Sequence, residues 1–141
     1  MASLNSDQMT LSAAGSKIKS NEQGGKVRTL YFSFTVPAVP NIGDIVSLGV
    51  LPVGARVLGG QFQWSVVAGA AATIAIGYTG ASGRYFTAAV TNALTIFRIA
   101  DTALQFYGDE LAASQTILAT NAVAAWPVAD VCKGHLLYVV D

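Results

Sequence analysis

The chain has 141 residues, with eight Lys plus Arg balancing eight Asp plus Glu and only 11% of positions charged. That length supports one domain with a real core and no staples, while the sparse, balanced charge excludes a general nucleic-acid binder, which needs excess cations to displace counterions. Cys132 is the single cysteine, so an intrachain disulfide framework is excluded as well.

Residues 1–26 are rich in Ser, Asn, Gln, Lys and Gly, with Leu4, Met9, Leu11 and Ile18 as isolated apolar positions. Such a composition buries too little surface to order itself. It reads as an extended N-terminal arm, either a frayed terminus or a segment that docks on a neighbouring subunit. In the docking case the contacts fall to Leu4, Met9, Leu11, Lys17, Ile18 and Lys19. Fully extended, the arm reaches roughly 80 Å at about 3.3 Å per residue. The opening "MASLNSDQMT" lacks a basic segment followed by an apolar run, so it does not read as a signal peptide.

From residue 27 to 141 the pattern is that of a β domain. In "RTLYFSFTV", Leu30, Phe32, Phe34 and Val36 alternate with Thr29, Tyr31, Ser33 and Thr35, which predicts a half-buried strand. "PAVPNIGD" breaks it, because Pro37 and Pro40 cannot serve a central ladder. "IVSLGVL" (45–51) predicts a strand, "PVGA" a turn and "RVLGGQFQWSV" (56–66) a second strand. Pro52 suits the first central position of that turn, and Gly54 the position needing positive φ. Leu58, Phe62, Trp64 and Val66 are expected on the core face, and Gln61, Gln63 and Ser65 on the other. Gly59-Gly60 marks a bulge or a close backbone approach. No charged residue lies between Arg56 and Arg84, yet glycine pairs and spaced amides punctuate the run and argue against a membrane helix.

Further strands are expected at "TIAIGYT" (73–79), after the "TGASG" turn at "RYFTA", at "LTIFRIA" (94–100), "LQFYG" (104–108), "QTILATNAVAA" (115–125) and "GHLLYVV" (134–140). "FTAAVTNAL" (86–94) has a short helix as its alternative, since Ala favours one. Seven to nine short strands with turns between them predict an all-β antiparallel sandwich or barrel.

Convergent chemistry is scarce. His135 is the only histidine, and Cys132 lies three residues from it, too close along an extended chain to face it. One His and one Cys cannot supply the ligands of a held zinc. "GASGR" lacks the last glycine of a nucleophile elbow, and "NEQGGKV" has Ser20 where a phosphate loop begins with Gly. The carboxylates Asp44, Asp101, Asp109, Glu110, Asp130 and Asp141 are scattered, and "GDE" (108–110) reads as a turn with solvated charges. No catalytic residue, metal ligand or cofactor is therefore assigned, and neither nucleic acid nor membrane is an expected partner. A surface this poor in charge favours an oligomer or a component of a larger assembly. Trp64 reads as core; Trp126, in "AAWPVAD", either anchors a partner from an exposed loop or closes one end of the sandwich.

The phrases "NIGDIVSLGVLPVGARVLGGQFQW", "ATIAIGYTGASGRYF" and the ending "GHLLYVVD" resemble tailed-bacteriophage virion structural proteins of the head decoration or cement type. The resemblance implies a jelly-roll-like β-sandwich that oligomerises, as a dimer or trimer, on the outside of an icosahedral head. It implies the major capsid protein as partner and the virion exterior as location. The alternative is a head-fibre or tail component recognising a host glycan or receptor, with Trp126, Tyr85 and Tyr107 as candidate contacts.

Overall fold

The computed structural model describes residues 25–36, 38–39, 41–65, 72–89, 96–99 and 108–140. Among the described residues eight strands form: β1 (Val27–Thr35), β2 (Ile45–Leu51), β3 (Arg56–Trp64), β4 (Thr73–Tyr78), β5 (Ala81–Ala89), β6 (Phe97–Ile99), β7 (Gln115–Ala122) and β8 (Val131–Val139). They make two four-stranded sheets, one ordered β1-β8-β3-β6 and the other β2-β7-β4-β5. Every ladder between them is antiparallel. Successive strands change sheet at each step except β4 to β5, which is the winding of a jelly roll.

Period-two burial generates this sandwich. On β1, Phe32 is buried while Tyr31 and Ser33 are exposed, and on β4 both Ile74 and Ile76 are fully buried. The inner faces meet in one core that includes Leu51, Val57, Phe62, Trp64, Ile117, Cys132 and Leu136. Two aromatic groups fill it. Phe62 packs against Phe86 and Phe97, both with ring centroids 5.0 Å away, and Phe34, Trp64 and Trp126 lie 5.5–5.7 Å from one another. Area removed from water on this scale, at about 25 cal/mol per Å2, is the dominant stabilising contribution.

Several expectations are corrected by the geometry. Leu58 does not share the core face with Phe62 and Trp64. Val57 pairs with Tyr138 and Gly59 with Leu137, so Leu58 is the extra residue of a β-bulge and the inward phase passes to Val57. The same device occurs at Leu48 on β2, between the pairs Ser47–Leu118 and Gly49–Ile117. In both bulges a glycine follows the extra residue, with φ of +153° at Gly49 and +148° at Gly59, a conformation glycine alone adopts readily. Pro52 sits at the first corner of its turn rather than a central position, because the Ala55 amide donates to the Pro52 carbonyl; Gly54 has the expected positive φ.

The β4–β5 connection is the two-residue turn Thr79-Gly80, so β5 starts at Ala81, inside "TGASG". Residues 86–89 belong to β5, which removes the helical alternative there, and 90–94 lie outside the described residues. Strand β8 begins at Val131, three residues before the expected start, and β7 ends at Ala122. The strand expected at 104–108 lies outside the described residues except for Gly108, which is in a turn. Val66 and residues 1–24 also lie outside them. Among the described residues no helix is long and apolar enough to cross a membrane.

Candidate interaction surface

The two ends of the sandwich differ in chemistry. At one end the β2–β3 turn meets residues 108–111, and charges pair: Arg56 bonds Glu110 at 2.9 Å and donates to the Gly108 carbonyl at 2.8 Å, while Arg84 reaches Asp109 at 3.3 Å. "GDE" departs from the expected turn with solvated charges: Gly108 lies in a turn, but Glu110 forms a β-bridge with Arg56, and both carboxylates are held by arginines of other strands. At the opposite end the β1–β2 loop and the β7–β8 loop lie side by side and carry four exposed aliphatic residues, Val39, Ile42, Val123 and Val128, each more than half exposed.

Local rules explain why these side chains point outward. In Asn41-Ile42-Gly43-Asp44 the Asp44 amide donates to the Asn41 carbonyl, and the Asp44 carboxylate accepts from the Asn41 amide at 2.7 Å. Gly43 takes positive φ, which leaves Ile42 at the tip. Pro127-Val128-Ala129-Asp130 repeats this geometry: the Asp130 amide donates to the Pro127 carbonyl, Ala129 has φ of +60°, and Val128 is the tip. Val123 is the centre of a three-residue turn in which the Ala124 amide donates to the Ala122 carbonyl at 2.9 Å. Its φ of +69° belongs to the strained form of that turn, and a β-branched residue is an outlier there.

The support beneath is buried and polar. Asn121, 1% exposed, exchanges backbone hydrogen bonds with the first loop, accepting from Gly43 and donating to Asp44, and its amide nitrogen donates to the Asn41 carbonyl at 3.3 Å. Its Oδ1 is buried without a hydrogen bond among the described residues. The fully buried Asp130 accepts at Oδ1 from the Ser65 hydroxyl (2.6 Å), the Ser65 amide (3.1 Å) and the Val131 amide (2.8 Å). The Val36 amide donates to the Asp130 carbonyl, which ties the β1 exit to the same corner. Three donors converge on that one buried oxygen, which ties Ser65 and the start of β8 to the β7–β8 loop.

Of the residues assigned to partner contact from sequence, Leu4, Met9, Leu11, Lys17, Ile18 and Lys19 lie outside the described residues. Trp126 is 2% exposed, so the exposed-anchor reading gives way to the other one: it closes this end of the sandwich. Its ring sits against Phe34 and Trp64, and its Nε1 donates to the Thr73 carbonyl at 2.9 Å. Tyr85 is also buried, and burial pushes its hydroxyl up to about 12; Tyr107 lies outside the described residues. Val39, Ile42, Val123 and Val128 were missed as surface residues. For Ile42 and Val128 the available signal was an aliphatic residue at the second position of a turn tetrapeptide, "NIGD" and "PVAD"; Val39 and Val123 carried no such signal.

No protein-family model matches this chain, and no curated protein matches it in sequence. Solved structures do share its fold. A chain in the capsid of Ralstonia phage GP4 aligns with a TM-score of 0.66 at 22% identity, covering 83% of this chain and 86% of that one. A chain in the cyanophage Pam1 capsid asymmetric unit aligns with a TM-score of 0.65 at 21% identity, covering 100% of both. A chain in the acidic stable capsid of Helicobacter pylori bacteriophage KHP30 gives a TM-score of 0.55 at 12% identity, over 81% and 87%.

Proposed function

We propose that this protein is a structural component of a tailed-bacteriophage virion, a decoration or cement protein that binds the outer surface of the head between capsid subunits and stabilises it. The observation that carries the reading is the end-to-end likeness of the fold to a chain of the cyanophage Pam1 capsid, with the Ralstonia phage GP4 capsid alongside. In this reading residues 27–141 are the body, residues 1–26 are an arm reaching a neighbour, the major capsid protein is the partner, and the protein acts as a homo-oligomer without catalysis. The apolar end supplies the rigid docking face. Ile42, Val123 and Val128 are fixed by turns and by buried Asn121 and Asp130, so little side-chain or loop order remains to be lost on binding. The receptor-binding alternative draws no support from two of its three candidate aromatics, since Trp126 and Tyr85 are buried.

Purified particles test this. The chain should be present in heads, and particles lacking it should release their genome at a lower temperature. Deleting residues 1–26 should leave the body folded and reduce its incorporation. Absence of the chain from heads, or heads equally heat-stable without it, would overturn the reading.

A further inference from the structure

Strand β1 lies at the edge of its sheet, with no strand on its outer side among the described residues. A bare edge offers unpaired N–H and C=O groups to any extended chain, and proteins blunt it with short strands, bulges, proline or charge. The other edges show such devices. β6 has three residues among those described, β2 carries the Leu48 bulge, and the β5 ladder breaks between Ala81 and Phe86, where Arg84 lies. β1, by contrast, pairs with β8 along its whole length with no shift of register. Its sequence, VRTLYFSFT, holds no proline or glycine and one charge, Arg28 near its start. Val27 and Tyr31 on its outward face are 59% and 63% exposed. Leu30 and Phe34, packed against the core at this flank, are only half-buried.

The strand is also complementary to itself. A closed two-fold contact between identical edges makes the two strands antiparallel. Centred on Tyr31, it sets Tyr31 against Tyr31, Thr29 against Ser33 and Val27 against Thr35 on the outer face. On the inner face Leu30 meets Phe32 and Arg28 meets Phe34. Aromatic, hydroxyl and apolar pairs of this kind stabilise a ladder, whereas like charges directly opposite weaken it. The two Arg28 side chains fall near opposite ends of the ladder, roughly 20 Å apart. The outward row Tyr31, His135, Gln61 and Arg98 then continues through the axis into the same row of the second copy. We infer that two copies of this chain join edge to edge along β1, antiparallel about Tyr31, merging their four-stranded sheets into one continuous sheet. A peptide of another protein would gain the same main-chain bonds, but the side-chain match about Tyr31 belongs to two copies of β1. The inference rests on the homo-oligomer part of the function proposed above and supplies its interface. Each apolar end lies at the exit of its own β1, where the Val36 amide bonds Asp130. Antiparallel pairing therefore points the two apolar ends in opposite directions, one for each of two capsid subunits.

Sedimentation of the full chain, free of heads, should show a dimer. Tyr31→Lys places two ammonium groups opposite each other at the axis and should weaken that dimer ~tenfold or more, with an unchanged circular-dichroism spectrum because Tyr31 is exposed. Tyr31→Cys should form a disulfide between copies on mild oxidation, since directly opposed residues lie within its reach. Val50→Cys, exposed on β2 of the other sheet, should not. Amides on the outer edge of β1 should resist hydrogen exchange in the natural sequence and exchange freely in Tyr31→Lys. A monomeric full chain, a dimer unaffected by Tyr31→Lys, or no disulfide in Tyr31→Cys would each overturn the interface. A monomer whose β1 edge is nonetheless protected would also overturn it and assign the edge to residues 1–24 of the same chain. The head-decoration reading stands or falls separately, on the presence of the chain in heads and their heat stability.

Discussion

At the scale of single residues, the apolar end holds left-handed backbone at two positions that carry a Cβ, Val123 and Ala129. An L-residue in that region costs about 1–2 kcal/mol, set against roughly 0.5–1 kcal/mol for the greater freedom of an unfolded glycine. Val123→Gly and Ala129→Gly should therefore each raise stability by about 0.5–1 kcal/mol, read as a higher urea midpoint at unchanged slope. A lowered midpoint at Val123 would mean that its side chain contributes more than its backbone costs. Cys132 allows a second test. Burial, with the nearby negative charge of Asp130, pushes its thiol from 9.0 up to about 12. The unfolded chain gives up that proton first, so the stabilisation is complete below pH 9 and is lost as pH climbs towards 12. The thermal midpoint should fall over that window, and Cys132→Ala should flatten part of the fall. In the folded protein at pH 8 the thiol should resist labelling that proceeds freely in denaturant.

At the scale of elements, alternation in the sequence located most strands, because an inward side chain at every second residue follows from the pleat. Phase within a strand was less legible. The Gly pair after Leu58 announced a bulge, but which residue was expelled depended on the pairing of Val57 and Gly59 with β8, a contact distant in sequence. The segment at 86–89 shows the same limit: Ala-rich composition favours a helix locally, and pairing of Ala75 with Thr87 and of Ile76 with Phe86 overrides it. Gly134 marks a place where two elements leave no room. A Cβ there would lie 2.5 Å from the Gln61 carbonyl oxygen and 2.6 Å from both the Phe32 ring and the Phe62 Cβ. Gly134→Ala should destabilise the domain by about 2–3 kcal/mol through forced displacement of β3 or of the Phe32 ring, measured by chemical denaturation. A neutral result would mean that β1 and β3 slide apart without penalty.

At the scale of the whole molecule, the sandwich separates three surfaces: an ion-paired end, an apolar end and a polar sheet face. If the apolar end is the docking face, Ile42→Lys combined with Val128→Lys should abolish incorporation into heads while changing stability by less than about 0.5 kcal/mol, since both side chains are exposed turn tips. Retained incorporation would move the docking face elsewhere. The sequence by itself determined the all-β class, the positions of most strands and turns, and the core role of Trp64, because period, proline and glycine act locally. Only the tertiary structure decided that Trp126 is buried, that Val39, Ile42, Val123 and Val128 gather at one end, and that Tyr31, His135, Gln61 and Arg98 line up in one row. Each of those facts depends on strand order and register, which bring together residues that no local pattern connects.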